Sequence, residues 1–476
     1  MTATAERAEA GFRFPTAYTI LFALIVIVAA LTWIIPAGQY DTAYSEALER
    51  DVPVAGTYKE VEANPQGPLD VILAPIAGLY DPGSYEANAI DVALFVIVIG
   101  GFIGVITSTG AIDAGITRAM TALAGREKWL IPVLMALFAF GGTTYGMAEE
   151  TLAFYVILIP MMIAARYDAV TAVAVILLGA GVGVLGSTVN AFATVIAADA
   201  AGIPFTDGMT VRFAILGLCW LASVIYVMRY AERVRRDPRK SIVYDRKAEN
   251  EAHFLRGRET TAAAFTGLHK IVLILFAATF AVMIWGVLEG GWWMGEMTGL
   301  FLASAIVVGI IARPGEQRFV DSFLGGARDL LGVALIIGLA RGIVVIMDAG
   351  NISDTILHWA ETAVAGLHDV VFVNVIYWIE VAMSFFVPSS SGLAVLSMPI
   401  LAPVADFAGT ERHLVVTAYQ SANGIVNLVN PTFAVVMGAL AIGRVPYERW
   451  LRFIWPLLLI LTAIIMGSLS IAALAA

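Results

Sequence analysis

The sequence predicts an all-α polytopic membrane protein made of two repeats with inverted topology, each with a re-entrant hairpin and a broken transmembrane helix. Of its 476 residues, 59% are hydrophobic and 14% are charged, whereas soluble domains average about 45–50% apolar and about 25% charged residues. Long apolar runs supply the helices, and polar interruptions recur at one constant offset in the two halves. This composition excludes a soluble enzyme, a nucleic-acid-binding protein and a disordered chain. The single Cys219 lies in an apolar run, which excludes a disulfide framework and a zinc cluster.

Plain transmembrane helices come first, because a helix needs about 20 mostly apolar residues to cross the hydrocarbon core. The segments that meet this condition are Ala17–Pro36, Ile90–Thr109, Phe213–Met228, Ile271–Leu288, Trp292–Ala312, Leu330–Met347 and Phe453–Ile471. The runs do not alternate every second residue, so a β-barrel is excluded. The first run is longer than the roughly 7–15 apolar residues of a signal peptide, and no clear cleavage site follows it. We therefore predict that it is a retained helix.

Two apolar stretches are predicted to be re-entrant hairpins. Residues 129–165 are interrupted by Gly141–Glu150, and residues 370–408 are interrupted by Val387–Gly392. Each arm has about 12–17 residues, which is too short to cross the bilayer comfortably. The two arms of each hairpin are therefore expected to enter and leave on the same side.

Two further stretches are predicted to be broken helices. Residues 169–201 are interrupted at Gly186–Asn190, and residues 414–443 are interrupted at Asn423–Gly424 and again at Asn427–Thr432. The resulting organisation places segments in this order: a cytoplasmic N-terminus (1–16), repeat 1 (17–230), a cytoplasmic linker (231–270), a bridging helix (271–291) and repeat 2 (292–476).

The two halves align when the chain is shifted by 240 residues. This shift places residues 104–112 on 344–352, the Glu149-Glu150 tip on Ser389-Ser390, and Asn190 on Asn430. Chance similarity between hydrophobic segments is the competing explanation, but the matched positions include the polar interruptions. The extra bridging helix makes the second half begin on the opposite side. Inverted repeats with broken helices are typical of secondary transporters.

The distribution of charge supports one orientation. With the N-terminus inside and both hairpins returning, 23 of the 28 Lys and Arg residues are cytoplasmic. The loop of residues 37–89 is then outside, with nine acidic and two basic residues. This arrangement satisfies the positive-inside rule and places the C-terminus outside.

The interruptions predict a binding site. Non-helical backbone inside a membrane must be buried in protein or line a watery cavity, so the interruptions should meet. Helix N-termini there suit a carboxylate, and freed carbonyls suit Na⁺ or a proton-bearing group. The predicted substrate-binding residues are Thr143, Thr144, Glu149, Glu150, Ser389, Ser390, Ser391, Gly392, Asn423, Asn430, Thr432 and Arg341. The predicted coupling-ion residues are Gly142, Ser187, Thr188, Asn190, Asn427 and Glu380.

Structural explanations exist for many of these residues. The glycines would also permit close helix packing, and the serines would also cap the following helix. The asparagines would also satisfy free backbone groups at the interruptions.

Ionisable residues within the membrane are the sharpest indication of function. A central acidic residue costs on the order of 2.5–3.5 kcal/mol to insert, so the adjacent Glu149 and Glu150 cannot both face lipid. A tip that lies at the cytoplasmic interface, with both carboxylates hydrated, is the competing interpretation. Arg341 lies within a predicted span. Two roles are open for it: a structural ion pair with Glu380 or Glu150, or contact with a substrate carboxylate.

Several motifs identify a family. They are the Gly141–Glu150 run Gly-Gly-Thr-Thr-Tyr-Gly-Met-Ala-Glu-Glu, the Met398–Pro403 run, Asn430-Pro431-Thr432, Arg444-Val445 and Trp450. With these motifs the chain resembles the YfcC family over nearly its whole length. That family is grouped with DcuC-type and ArcD-type carriers of the ion transporter superfamily. Close relatives have Gly-x-Gly-Glu-Glu at the acidic tip, where this chain has Ala148 in place of the second Gly.

The resemblance implies a bacterial inner-membrane secondary carrier with an elevator-type fold. In this fold a transport domain, built from hairpins and broken helices, moves against a dimeric scaffold. Members are labelled as basic amino acid antiporters, and neighbouring families carry C4-dicarboxylates or short-chain fatty acids. Related sodium–dicarboxylate carriers have Ser-Asn-Thr at both tips, whereas this chain has Thr143-Thr144-Tyr145 and Ser389-Ser390-Ser391.

We therefore expect a homodimeric carrier of a small amino acid, with a basic amino acid favoured by the Glu pair. A proton- or sodium-coupled carrier of C4-dicarboxylates or short-chain carboxylates is the alternative, and an ion channel is a remote one. The coupling ion is left open between H⁺ and Na⁺, with Na⁺ expected at the hairpin tips and helix breaks. No other cofactor, nucleic-acid partner or enzymatic site is expected, because no metalloprotease, P-loop or dinucleotide motif occurs.

Overall fold

The computed structural model describes residues 17–45, 50–54, 56–85, 87–112, 114–115, 118, 126–144, 146–255, 265–290, 292, 294–364 and 366–475. The predicted cytoplasmic N-terminus (1–16), Tyr145 of the first tip and part of the predicted linker (256–264) lie outside the described residues.

Helices make up most of the described chain. They are α1 (Ala17–Leu31), α2 (Pro68–Ala77), α3 (Ile90–Ser108), α4 (Leu130–Thr144), α5 (Leu152–Ala164), α6 (Ala169–Leu185), α7 (Ile196–Ala201), α8 (Met209–Arg236), α9 (Lys247–Phe254), α10 (Gly267–Gly290), α11 (Met294–Ala312), α12 (Glu316–Ala349), α13 (Ser353–Val364), α14 (Asp369–Phe386), α15 (Ser390–Ala408), α16 (Arg412–Val426), α17 (Ala434–Gly443) and α18 (Tyr447–Ala475). Short 3₁₀ turns occur at Glu127–Trp129, Glu149–Thr151, Pro238–Lys240 and Tyr244–Arg246, and a π-turn at Ala191–Val195.

The acidic loop after α1 contains β-structure, which corrects the all-α prediction. Strand β1 (Gly38–Gln39) pairs antiparallel with β4 (Lys59–Glu60), and β2 (Thr42–Ser45) pairs antiparallel with β3 (Arg50–Pro53). These two-stranded pairs satisfy backbone groups of a loop that connects two helices, and the remainder of the described fold is helical.

Six described helices are long and apolar enough to cross a membrane. They are α3, α8, α11, α12, α14 and α18. Five of them match predicted spans. The sixth, α14, was predicted as a short hairpin arm but has 18 residues, because its apolar sequence stays helical up to the interruption at residue 387. The predicted spans Ala17–Pro36 and Ile271–Leu288 correspond to the apolar helices α1, of 15 residues, and α10, of 24 residues.

One group of helices, here called the frame helices, comprises α1–α3 and α10–α12. Helix α12 packs along α3, α2 and α1. Glycines permit the close approach of α3 and α12, because a Cβ atom added to Gly104 would lie 3.0 Å from Gly326 Cα. Close contact between small residues is a main source of helix association in membranes.

The second group, here called the hairpin bundle, comprises α4–α8 and α14–α18. In this bundle α4 packs on α6, α14 packs on α16, and α8 packs on α18. The bundle meets the frame where α17 contacts α12 and where α5 contacts α3.

The helices of the bundle occur in the same order in both halves of the chain. A hairpin (α4–α5 and α14–α15), an interrupted helix (α6–α7 and α16–α17) and a long helix (α8 and α18) follow one another each time. The predicted linker is shorter than expected, because α8 continues to Arg236 and α9 is an ordered helix within it.

Candidate functional site

The first hairpin turns at residues 146–148 of the described chain, later than predicted. Helix α4 extends to Thr144, so Gly141, Gly142, Thr143 and Thr144 are helical. Gly142 is needed for packing, since a Cβ atom there would lie 3.0 Å from Val184 N of α6. The chain reverses at Gly146, which has a positive φ of 78°, and Glu149 begins a 3₁₀ turn.

The second hairpin turns over residues 387–389. Ser389 caps α15 by accepting a hydrogen bond from Gly392 N at 3.2 Å. Ser390, Ser391 and Gly392 therefore form the first turn of a helix, whereas the sequence predicted an interruption that reached Gly392. A helix N-terminus leaves its first backbone N–H groups without partners inside the helix, and here the Ser389 side chain takes up that of Gly392.

The first helix interruption is hydrogen-bonded to the first hairpin. Thr188 N donates to Thr143 Oγ1 at 3.0 Å, and the two hydroxyl oxygens lie 3.2 Å apart. Asn190 Nδ2 donates to Gly142 O at 3.3 Å. Ser187 Oγ and Thr194 Oγ1 form a 2.7 Å hydrogen bond within the interruption. Thr144 Oγ1 donates to Phe140 O at 2.7 Å within its own helix.

The second interruption is fastened to the second hairpin in a similar way. Asn430 Nδ2 donates to Ser384 O at 3.2 Å and to Phe385 O at 3.0 Å, and Thr432 Oγ1 donates to Phe385 O at 2.8 Å. These bonds satisfy carbonyls at the end of α14, which a helix C-terminus leaves free.

The interruption predicted at Asn423–Gly424 is wrong, because α16 is continuous to Val426. Gly424 permits α16 to approach the end of α6, since a Cβ atom there would lie 2.7 Å from Leu185 N. The Asn423 side chain bonds to other side chains and leaves the helix backbone intact: Asn423 Oδ1 accepts from Ser390 Oγ at 2.8 Å and from Asn427 Nδ2 at 3.0 Å.

Three residues of α16 at the interruptions were missed by sequence reasoning. Gln420 Nε2 donates to Ser187 O at 2.9 Å, and its Oε1 accepts from Thr194 Oγ1 at 2.5 Å. Ser421 Oγ donates to Leu185 O at 3.3 Å, and Tyr419 Oη donates to Ser390 O. The run Tyr-Gln-Ser, which follows the mostly apolar residues 414–418 of this helix, was the available indication.

A central cavity of about 330 Å³ lies between the two hairpin tips. It is lined by both groups of helices, with Arg341 and Val344 of α12 on the frame side. The predicted site residues that line it are Glu149, Glu150, Asn190, Arg341, Ser389, Ser390, Ser391, Asn427 and Thr432. Those that do not are Thr143, Thr144, Gly142, Gly392, Asn423, Asn430, Ser187, Thr188 and Glu380.

The cavity holds charges of both signs. Glu150 Oε2 accepts from Ala148 N at 3.0 Å, and the Glu150 side chain is buried. Arg341 has no ion pair with Glu150 or Glu380 among the described residues, so neither ion pair weighed from the sequence is present. Asn427 Oδ1 is buried without a hydrogen-bond partner in the described chain, although the residue lines the cavity.

Glu380 lies apart from this cavity. Its side chain is fully buried within the hairpin bundle, and neither carboxylate oxygen has a hydrogen-bond partner in the described chain. An ionised carboxylate in such surroundings is strongly disfavoured. No group of three or more His, Cys, Asp and Glu side chains that could hold a metal ion occurs among the residues described.

Sequence comparison places residues 14–475 in the DcuC family, described as C4-dicarboxylate anaerobic carrier. An "Uncharacterized protein" of Haemophilus influenzae is 35% identical, over 95% of this chain and 96% of its own. The "Putative basic amino acid antiporter YfcC" of Escherichia coli K12 is 30% identical, over 94% of each chain.

Two solved structures are more distantly similar. MtrF of Neisseria gonorrhoeae, described with a class of antimetabolite efflux pumps, has 15% identity and a TM-score of 0.42, covering 97% of this chain and 96% of its own. The YdaH transporter of Alcanivorax borkumensis, described as having an unusual topology, has 13% identity and a TM-score of 0.40, covering 96% and 98%.

Proposed function

This chain belongs to the DcuC family, described as C4-dicarboxylate anaerobic carrier, and we propose that it is a secondary active transporter. Its 30% identity to a putative basic amino acid antiporter favours a basic amino acid, carried by exchange, as the proposed substrate. The family membership predicted from the motifs is thereby confirmed. The observation that supports the substrate is the central cavity, where an adjacent pair of carboxylates and a helix N-terminus face the same space.

In the proposed binding mode the two ends of the substrate meet opposite charges. The substrate carboxylate accepts hydrogen bonds at the N-terminus of α15, next to Ser389–Ser391, where the helix dipole favours an anion. The substrate's ammonium or guanidinium group meets Glu149 and Glu150. Asn427 Oδ1, which is buried without a donor, accepts a hydrogen bond from the α-amino group.

The proposed mechanism is an elevator-like movement of the hairpin bundle against the frame helices. The central cavity supports it, because residues of both groups line one space and movement of one group would open that space to alternate sides. The repeated helix order supports the inverted repeats. The frame helices would form the homodimer contact, as the family resemblance implies.

The proposed orientation follows from the positive-inside rule in a bacterial inner membrane. The N-terminus is cytoplasmic and the C-terminus is extracytoplasmic, with 23 of 28 basic residues inside. For coupling, the buried Glu380 is a proton site because burial favours its neutral form. Na⁺ coupling at the hairpin tips is the other proposal, and transport with and without Na⁺ separates the two.

The decisive experiment is exchange of radiolabelled arginine or lysine in proteoliposomes loaded with the same amino acid. We expect saturable exchange that falls at least about tenfold in Glu149→Gln, which corresponds to loss of one charge-assisted hydrogen bond. Glu411→Gln, at an exposed helix start away from the cavity, is the matched control. Unchanged exchange in Glu149→Gln would disprove the role of the acid pair.

A C4-dicarboxylate carrier is the second candidate, favoured by Arg341, which lines the cavity without an ion pair to any residue that the structure describes. In that case labelled succinate exchanges and arginine does not. Arg341→Ala should then abolish succinate exchange, because one carboxylate loses its cationic partner. Succinate exchange that persists in Arg341→Ala would argue against this candidate.

A further inference from the structure

A second cavity, of about 450 Å³, lies outside the transport site. It forms where α5 meets α6, where α8 ends and where α9 packs, and none of its lining residues lines the central cavity. Three cationic side chains line it, namely Arg166, Arg235 and Lys247, together with apolar side chains such as Ile163 and Val234. The proposed transport mechanism makes no use of this cavity.

The carboxylates of this cavity are already engaged. Asp168 Oδ1 accepts from Thr171 N at 2.8 Å and Thr171 Oγ1 at 2.6 Å, and its Oδ2 accepts from Tyr230 Oη and Ser241 Oγ at 2.6 Å each. Glu251 Oε1 accepts from Lys247 Nζ at 2.5 Å. Arg235 is paired as well, because its Nη2 lies 3.2 Å from Glu127 Oε2. The Arg166 guanidinium, by contrast, has no ion pair in the described chain, so it is the cationic group of this cavity that is left to meet an anion.

Asn250 provides an independent indication of a ligand. It lines the same cavity and is only 4% exposed, yet its Oδ1 has no hydrogen-bond partner in the part of the chain that is described. A buried acceptor left without a donor costs about 1–3 kcal/mol. A hydroxyl or N–H group brought by a ligand would remove this cost.

We propose that this cavity binds a phosphate ester that carries a hydroxyl group. The phosphate accepts hydrogen bonds from Arg166, because guanidinium matches phosphate geometry. The hydroxyl donates to Asn250 Oδ1, and the apolar wall covers the carbon atoms. A phosphatidylglycerol headgroup from the bilayer and a soluble glycerol phosphate share this chemistry.

The ligand would tie the segment between the repeats to the hairpin bundle. Helix α9 contributes Lys247 and Asn250 to the cavity. The same segment is held to the second half of the bundle by an Arg444–Glu249 ion pair and by Arg449, whose Nη2 lies 3.6 Å from Asp245 Oδ2. A basic pocket at helix ends on the cytoplasmic side is a typical place for an anionic headgroup.

The test uses the purified full-length chain in two arms. Native mass spectrometry counts phosphatidylglycerol retained against phosphatidylcholine, and calorimetry measures binding of glycerol 1-phosphate in detergent. We expect retention of phosphatidylglycerol or saturable binding of glycerol 1-phosphate, and the arm that succeeds identifies the source. Arg166→Gln should weaken that binding about tenfold, the value of a charge-assisted hydrogen bond.

Two further variants keep the result interpretable. Asn250→Leu should weaken binding about fivefold without lowering the thermal midpoint, because it removes a buried acceptor that lacks a partner. Arg246→Gln, on the exposed face of the same segment, is the matched control and should bind as the parent does. Absence of binding in both arms, or equal binding by Arg166→Gln and Arg246→Gln, would overturn the proposal.

Discussion

At the scale of single residues, four asparagines at or beside the helix interruptions have two different kinds of environment. Asn190 and Asn430 donate to carbonyl groups at the ends of the neighbouring hairpin arms. Asn427 Nδ2 donates to Asn423 Oδ1, and Asn427 Oδ1 is buried without a hydrogen-bond partner in the described chain. Asn430 therefore holds the fold, whereas Asn427, which lines the central cavity, is better placed to meet a ligand.

This division predicts different effects of two alanine substitutions. Asn430→Ala removes three hydrogen bonds and should lower the free energy of unfolding by about 2 kcal/mol. Asn427→Ala should lower it less, because one of its polar atoms has no partner, but it should reduce substrate affinity more. Thermal unfolding in detergent and substrate binding measure the two effects. If the two variants lost the same stability and bound substrate with the same affinity, this distinction between Asn430 and Asn427 would be wrong.

His413 predicts a pH dependence at the start of α16. Burial lowers the pKa of His413 below its ordinary value of 6.5, with the nearby Arg212 lowering it further, while Glu411 at 2.8 Å and Asp207 act in the opposite direction. The unfolded chain therefore takes up this proton at higher pH than the folded chain, so this contribution to stability is lost as pH falls below 6.5.

The measurement is the thermal midpoint at pH 7.5 and at pH 5.5. We expect the decrease on acidification to be smaller in His413→Gln than in the parent. His368→Gln, whose ring is largely exposed, is the control and should keep the parental decrease. A decrease in His413→Gln as large as that of the parent would show that another group is responsible.

At the scale of elements, the first hairpin depends on the reversal at Gly146. Its φ of 78° is unfavourable for any residue with a Cβ atom, and an added Cβ would lie 2.8 Å from the Asn190 side chain. The tip and the first interruption therefore have to fit together. The close approach of Gly146 to the Asn190 side chain helps to position Glu149 and Asn190 along the wall of the same cavity.

Gly146→Ala should lower stability and transport together, because backbone strain of about 1–2 kcal/mol adds to the displacement of Asn190. Gly409→Ala is the matched control, since Gly409 has a φ of 73° but no atom within 4 Å of an added Cβ. The control should show the strain alone and keep transport. Transport that is equal in the two variants would show that the Asn190 contact is unimportant.

At the scale of the whole molecule, the hairpin bundle and the frame helices meet through few side chains. Phe154 of α5 and Phe280 of α10 are in contact across this boundary, with ring centroids 4.6 Å apart. In the proposed mechanism such contacts change during each transport cycle, whereas contacts within the bundle persist.

Cross-linking tests this movement. Phe154→Cys with Phe280→Cys, joined by a short bismaleimide, should stop exchange in proteoliposomes because the bundle is fixed to the frame. Asn374→Cys with Ser470→Cys joins α14 to α18 within the bundle, where Nδ2 and Oγ are 2.9 Å apart, and should leave exchange unchanged. The buried Cys219 is first replaced by Ser. Exchange that continues through the Phe154–Phe280 cross-link would rule out the movement.

Local patterns predicted the helices and the positions of most interruptions. Apolar runs and the clusters of Gly, Pro, Ser and Asn act within a few residues, and hydropathy alone therefore located α3, α8, α11, α12 and α18. The errors have local causes as well. Gly142 and Gly424 lie inside helices because each permits a close helix contact, and a single sequence does not distinguish such a glycine from one that breaks a helix.

The sequence by itself determined that the chain is a multi-pass membrane protein of a carrier family, and it predicted two hairpins and ionisable residues within the apolar segments. Only the tertiary structure decided which polar groups are hydrogen-bonded away from the cavity and which line it. Thr143, Thr188 and Asn430 are bonded within the bundle and do not line the cavity, while Glu149, Arg341 and Asn427 line the central space. The physical reason is that hydropathy is a property of neighbouring residues, whereas a hydrogen bond such as that between Gln420 and Ser187 joins residues from different halves of the chain.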